Sequence, residues 1–354
     1  MRRLLVTFFF SPFVLFAACE KGQLCQMDIP GSQCADGSQS YVSYIDRGSE
    51  NLFVYVQGGG ACFDAVTCGC RLKENNCKGS NEGGEGATAG YLSRPPFDSQ
   101  IHPWGLNENG PIGSGNYFEI VYCTGDVYTG AGRVNYGNIL LPRVVRHMGA
   151  VNFRLSIDKA KEMFPNVKKV TIIGASAGGV GVTYNLNHIA RNFGQTELFV
   201  INDSGIPILA KYLQVNKIQS VLEKWNVKAT LPDGLTQDDL VDFEEIYEFN
   251  ASQFPGVKFA LLGATRDVVF DGYFQLLGGN SNSVKLSLEA TSQVLDKTTN
   301  HKYFLNNGRW HTATFLSSFG MPKEALPKSH GVNIEDWIAQ MVGNSSEWRS
   351  LTAE

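Results

Sequence analysis

The sequence predicts an α/β protein with a mainly parallel central sheet and helices on both faces. Three observations predict it. Short β-branched and aromatic runs alternate with stretches of helical apolar spacing. Of the residues, 43% are hydrophobic and only 18% charged, enough to fill a sizeable core. No internal repeat, low-complexity tract or linker interrupts residues 20–354, so they read as a single domain.

The N-terminus reads as a leader. Met1-Arg2-Arg3 supplies a positive end, and Leu4 to Ala18 is almost unbroken apolar sequence. About 15 residues is the length of a signal-peptide apolar region and too short to span a bilayer. The ending Leu15-Phe16-Ala17-Ala18-Cys19 resembles a bacterial lipobox, with Phe16 in place of the usual leucine. Residues 1–19 are therefore expected to be a signal peptide with a possible lipobox. They place the protein outside the cytoplasm: secreted, periplasmic or on an outer surface, with possible membrane anchoring through a lipidated Cys19.

All eight cysteines fall within the first 123 residues. Behind an export signal they read as disulfides. A metal site is the weaker reading, because Cys68-Gly69-Cys70 lacks zinc-knuckle spacing and no histidine lies near it. If Cys19 carries lipid, one of the other seven is left unpaired; if not, all eight can pair.

The elements follow in order. Leu52 to Val56 is a buried strand that stops at Gly58-Gly59-Gly60, and residues 61–115 read as a disulfide-pinned loop region. Tyr117 to Cys123 is a strand, and Leu140 to Phe164 has helical spacing. Lys168 to Ile173 is a strand, Gly178 to Asn192 a helix, and Leu198 to Ile201 a strand ending in Asp203-Ser204-Gly205. Lys211–Trp225 and Thr236–Tyr247 read as helices, Val257–Leu262 as a strand, and Val284–Asp296 and Ile334–Val342 as late helices.

The chemistry concentrates at Gly174-Ala175-Ser176-Ala177-Gly178-Gly179. A serine between strand and helix, with glycine two residues before and after it, forms the sharp turn that lifts a nucleophilic hydroxyl out of an α/β-hydrolase sheet. A solvent-facing serine in a tight turn is the plainer reading of the motif alone. The turn also offers one oxyanion donor, the N–H of Ala177. The second is expected from Gly59 or Gly60, since glycine lets backbone approach a substrate carbonyl. Asp267, just past the Val257–Leu262 strand, is the expected acid in preference to Asp271, although an aspartate there also makes a good helix cap. The chain order serine–acid–histidine sets aside His102, His147 and His188 and leaves His301, His311 and His330, of which the loop residues His311 and His330 both stay open as the base. A formal charge of −4 with no run of like charges argues against a nucleic-acid partner.

Taken together, Gly58 to Asp64, Tyr122 to Ala131, Gly174 to Gly181 and Asp203-Ser204-Gly205 resemble the pectin acetylesterase/Notum family over roughly residues 50 to 320. The resemblance implies an α/β-hydrolase fold, no metal or other cofactor, export, and hydrolysis of carboxylic esters. It carries the triad over as Ser176, Asp267 and His311, and the oxyanion donors as Ala177 with Gly59 and Gly60. Asp126 and Asp203 match family segments and are expected to be structural, accepting loop N–H groups. This chain departs from plant and animal members: no cysteine follows Cys123, none adjoins His311, and Gln57 stands where several relatives have glutamate. The pattern is that expected of a bacterial branch. The expected substrate is an acylated carbohydrate carrying acetyl or another short acyl group. A long-acyl ester is the alternative; an inactive surface binding protein and a peptidase are the rivals from other classes.

Overall fold

The computed structural model describes residues 19–70, 77–97, 101–107, 110–236, 239, 241–319 and 321–354. The apolar leader lies outside the described residues, apart from Cys19. In chain order the strands are β1 (Cys25–Asp28), β2 (Tyr41–Ile45), β3 (Asn51–Val56), β4 (Asn116–Ile120), β5 (Gly132–Asn135), β6 (Val144–His147), β7 (Lys169–Ala175), β8 (Glu197–Asp203), β9 (Lys258–Ala264) and β10 (His301–Asn306). A late pair follows, β11 (Lys328–Ser329) and β12 (Val332–Asn333). The helices are α1 (Pro103–Leu106), α2 (Gly149–Met163), α3 (Ala177–Tyr184), α4 (Leu186–Phe193), α5 (Val215–Trp225), α6 (Glu244–Gln253), α7 (Val268–Leu276), α8 (Ser283–Leu295) and α9 (Ile334–Val342).

Eight strands form one sheet in the order β1-β2-β4-β3-β7-β8-β9-β10. From β4 to β10 every neighbouring pair is parallel; β1 and β2 extend the sheet antiparallel at one edge. The period-two alternation of a strand divides the central residues between two cores. Leu52, Val54 and Val56 of β3 join Leu198 and Val200 of β8 on the face covered by α2, α3, α4, α6 and α8. Phe53 and Tyr55 join Phe199 and Ile201 on the opposite face, against Trp104 and the Trp337–Val342 stretch of α9. Both faces are covered, which is why these strands read as unbroken apolar runs.

Sequence expectation and fold part company in four places. The helix expected from Leu140 begins only at Gly149, and Val144–His147 pairs with Gly132–Asn135 as a hairpin. Pro142 cannot donate within a helix, and Val144-Val145 is a β-branched pair that favours a strand. The helix expected from Thr236 begins at Glu244; just before it, Val241 O accepts from Ala210 N and Asp242 bridges to Leu209. The Gly178–Asn192 helix is two helices that meet at Asn185, whose amide donates to Tyr128 O and Gly181 O. β1, β2, β5, β10, β11, β12, α1 and α7 were not expected.

Four disulfides close the N-terminal half: Cys19–Cys25, Cys34–Cys123, Cys62–Cys68 and Cys70–Cys77. Their presence suits an oxidising compartment. Cys19 bonds to Cys25, the arrangement expected of an unlipidated Cys19 with all eight cysteines paired. Among the described residues no helix is long and apolar enough to cross a membrane.

Candidate active site

Ser176 sits at the turn from β7 into α3 with φ 55° and ψ −117°. A non-glycine residue there is strained, and strain of that kind persists only where neighbours enforce it. The Ser176 N–H donates to Asp203 O at 2.8 Å, and its carbonyl accepts from Gly179 N at 2.9 Å. Backbones crowd the turn: a Cβ on Gly178 would lie 2.1 Å from Val56 O. The glycine two residues after the serine is thus a requirement of β3 passing alongside.

The glycine loop after β3 runs in front of Ser176. Gly60 has φ 71°, and a Cβ on it would lie 2.1 Å from Thr88 O and 2.2 Å from Tyr273 Oη. The Cys62–Cys68 bridge staples the loop immediately downstream. Tyr273 fixes its far side: its hydroxyl accepts from Ala61 N at 3.1 Å and donates to Thr88 O. Among the described residues no protein acceptor takes the N–H of Gly59, Gly60 or Ala177.

Asp267 follows β9 and is fully buried. Its two oxygens do separate things. Oδ1 caps α7 by accepting from Val269 N (2.9 Å) and Phe270 N (3.0 Å), while Oδ2 lies 2.7 Å from His311 Nδ1. The helix cap and the carboxylate partner of His311, rival readings of the sequence, are one residue. With Nδ1–H donating to Asp267, His311 keeps Nε2 free to accept a proton. His311 lies in the loop after β10, its side chain 16% exposed, with the Phe270 ring beside it.

Ser176, Gly59, Gly60 and His311 line one open cavity of about 550 Å³, within the range of ligand sites. Ser176 and Ala177 also line a second, narrow cavity of about 70 Å³ walled by Val180, Val221, Trp225, Phe270 and Phe274. Tyr273 borders both. The structure therefore brings together every residue expected at the site. His330 falls elsewhere, on the turn between β11 and β12, with its ring against Thr352 and Glu354. Asp271 sits one turn into α7, held by Gln275.

Two contributors went unread in the sequence: Tyr273 and the α5 wall of the narrow cavity carry no local motif. Asp203 does what was expected of it and holds loop amides. Its carboxylate accepts from Ala313 N (2.9 Å), Thr314 N (2.8 Å) and Thr314 Oγ1 (2.6 Å), the residues just after His311. Ser204 Oγ accepts from Thr312 N at 3.0 Å. The loop that bears His311 is thus tied to the strand end whose carbonyl holds Ser176. Behind it, buried His102 has Nδ1 accepting from Trp104 N, so its Nε2–H faces Thr314 Oγ1 at 3.1 Å. Burial lowers the His102 pKa to about 3, keeping that ring neutral, and burial raises that of Asp203. Cys62, Cys68 and His147 cluster in the manner of metal donors, but both sulfurs are bonded to each other.

Residues 22–239 match the profile of the family described as Pectinacetylesterase. The span contains Gly59, Gly60, Ser176 and Ala177; Asp267 and His311 lie beyond it. Palmitoleoyl-protein carboxylesterase notum2 of Xenopus laevis is 27% identical over 177 residues, 46% of this chain and 31% of that protein. Palmitoleoyl-protein carboxylesterase NOTUM of Homo sapiens is 28% identical over 168 residues, 45% of this chain and 30% of that protein. The chain spans about a third of the length of the curated relatives it matches. Among solved structures, the Wnt deacylase Notum from Drosophila superposes with a TM-score of 0.63 at 16% identity, covering 94% of this chain and 96% of that one. That likeness establishes a shared α/β-hydrolase-like fold.

Proposed function

Because the chain belongs to the pectinacetylesterase family, we propose that it is an exported serine carboxylic ester hydrolase in which Ser176, His311 and Asp267 act as the triad. The observation that carries this reading is the 2.7 Å contact of Asp267 Oδ2 with His311 Nδ1, at the rim of a cavity that Ser176 also lines. His311 Nε2 takes the Ser176 proton as Oγ attacks the ester carbonyl. The N–H groups of Ala177 and of Gly59 or Gly60 donate to the oxyanion. His311 returns the proton to the departing alcohol. Water, deprotonated in turn by His311, cleaves the acyl-enzyme and frees Ser176.

The two cavities divide the substrate. The wide one, with Ser80, Asn81, Thr88 and Thr312 on its walls, suits a hydroxylated alcohol such as a sugar. The narrow one is apolar and suits the acyl group. At roughly 10–15 Å³ per water-sized group, its 70 Å³ accepts acetyl with room to spare and a chain of several carbons when extended. A short acyl group on a carbohydrate is the reading the volumes favour. The apolar wall, together with relatives named for palmitoleoyl-protein esters, supports a long acyl chain as the second reading. Export rests on the N-terminal leader and the four disulfides. Anchoring by a lipidated Cys19 requires giving up the Cys19–Cys25 bridge.

Two measurements test the proposal. Wild-type protein should react with a fluorophosphonate probe and hydrolyse p-nitrophenyl butyrate, and Ser176→Ala should do neither. Full activity in Ser176→Ala rejects the triad. An acyl series from acetyl to palmitoyl, run with acetylated polysaccharides, separates the two acyl readings.

A further inference from the structure

The hairpin between β5 and β6 ends in an unusual tip. Ile139 is 96% exposed, Leu140 89% and Leu141 46%. The tip has a built shape. Asn138 Oδ1 accepts from Leu140 N (3.0 Å) and Leu141 N (2.8 Å), and Asn138 N donates to Leu141 O (3.2 Å). Lower down, Asn135 Oδ1 accepts from Gly137 N and Arg143 N, and Tyr136 N donates to Arg143 O. Many of the tip's backbone polar groups are therefore satisfied within the hairpin, as apolar surroundings demand.

Within the hairpin itself the charge has one sign. Residues 132–147 contain the exposed Arg133, the half-buried Arg146 and the buried Arg143, and no aspartate or glutamate. At the hairpin base Arg133 and Arg146 line a recess of about 240 Å³. Among the described residues the carboxylate lining it is Asp36, engaged by the N–H and hydroxyl of Ser38, and the Asp36 carbonyl accepts from Arg146 Nη1. The hairpin is rooted on the catalytic half of the molecule: Ala131 N donates to Trp225 O at 2.9 Å, and Trp225 walls the narrow cavity beside Ser176.

We propose that this hairpin is a docking device for an anionic lipid surface: Ile139, Leu140 and Leu141 enter the boundary between headgroups and acyl chains while Arg133 and Arg146 meet headgroup phosphates. A protein partner fits the observations less well. A stable protein interface needs about 800 Å² per partner, and three residues at a projecting tip supply far less. Apolar side chains over a basic collar are the combination that holds interfacial segments on anionic bilayers. The inference stands apart from the triad, because it concerns binding and not turnover.

The test is co-sedimentation of the full chain with phosphatidylcholine vesicles, with and without phosphatidylglycerol. The expected result is pelleting with phosphatidylglycerol vesicles that weakens as salt rises. The double variant Ile139→Ser with Leu140→Ser should lower the partition coefficient about tenfold or more, and Arg133→Gln should lower it by a smaller factor. These side chains are solvated, so the variants should keep wild-type hydrolysis of a soluble short-chain ester, which verifies folding. Wild-type protein that stays in the supernatant overturns the proposal, as does a double variant that pellets equally well. A wild-type dimer that the double variant dissociates, seen by sedimentation velocity, also overturns it and makes the tip a contact between copies.

Discussion

Thr314 donates both its backbone N–H and its hydroxyl to the Asp203 carboxylate, at 2.8 and 2.6 Å. Two residues earlier, Thr312 N donates to Ser204 Oγ. His311 stands at the head of this tether, and the carbonyl of Asp203 holds Ser176 N from the other side. One strand end thus sets the position of both the proposed nucleophile and the proposed base.

Asp203→Asn puts an amide NH₂ where the carboxylate accepts donors, leaving at least one loop N–H unpaired. The expected loss is about 1–3 kcal/mol of stability. The His311 loop should also drift, and misplacement by about 1 Å can cost a factor on the order of 100 in rate. The prediction is a fall in kcat larger than any change in KM, with Thr314→Val milder. Steady-state kinetics beside urea midpoints decide: lost stability with unchanged kcat rules out positioning.

Asp267 lets stability and catalysis be separated. Asp267→Asn can keep its amide oxygen on Val269 N and Phe270 N, so the cap of α7 survives, but its NH₂ then meets His311 Nδ1 and imposes the wrong tautomer. The expected drop in kcat is about 10⁴-fold, with little change in unfolding midpoint. Asp267→Ala loses the cap as well and should cost about 1 kcal/mol more. Equal activity of Asp267→Asn and wild type removes Asp267 from the mechanism.

The parts of this architecture legible in the sequence are those written locally. The strand–serine–helix turn needs Gly174 and Gly178 because backbones pass within van der Waals contact, and the β3 run ends at Gly58-Gly59-Gly60, the proposed oxyanion loop. Asp267 was legible by its place after a strand. Chain order alone left His311 and His330 both open and only the family resemblance singled out His311, since what distinguishes them physically is a contact with a residue 44 positions away. Asp203 and Tyr273 act through partners 111 and 185 residues distant, and no local pattern records that. Val144–His147 went unread as a strand because apolar spacing outweighed Pro142 in a stretch where both periods fit.

The narrow cavity predicts a chain-length effect. Val221 of α5 lines it, and a phenyl ring there should narrow it. Val221→Phe should leave acetyl-ester hydrolysis within a factor of a few and reduce kcat/KM for octanoyl esters about tenfold or more, at roughly 1–3 kcal/mol per excluded methylene. A parallel fall across all chain lengths shows that the acyl group lies elsewhere.

Three buried histidines should make the fold less stable as pH falls. Burial lowers the pKa of His102 and His301 to about 3 and of His147 to about 4, all from 6.5. The unfolded chain therefore binds more protons than the folded one between those values and 6.5, so stability rises with pH through that window and is lost as pH falls. Asp126, raised by burial to about 6, acts in the opposite sense between its unfolded value and 6, and blunts the slope by one proton. His301 makes the clean test, because neither of its ring nitrogens has a hydrogen-bond partner among the described residues and its ring lies against Phe259. His301→Leu should remove about 1.4 kcal/mol per pH unit from the acid limb. At pH 7 the urea midpoint should hold or rise, since two unpaired buried nitrogens are gone. An acid limb of unchanged slope in urea titrations from pH 4 to 7 means that His301 is protonated in the folded protein.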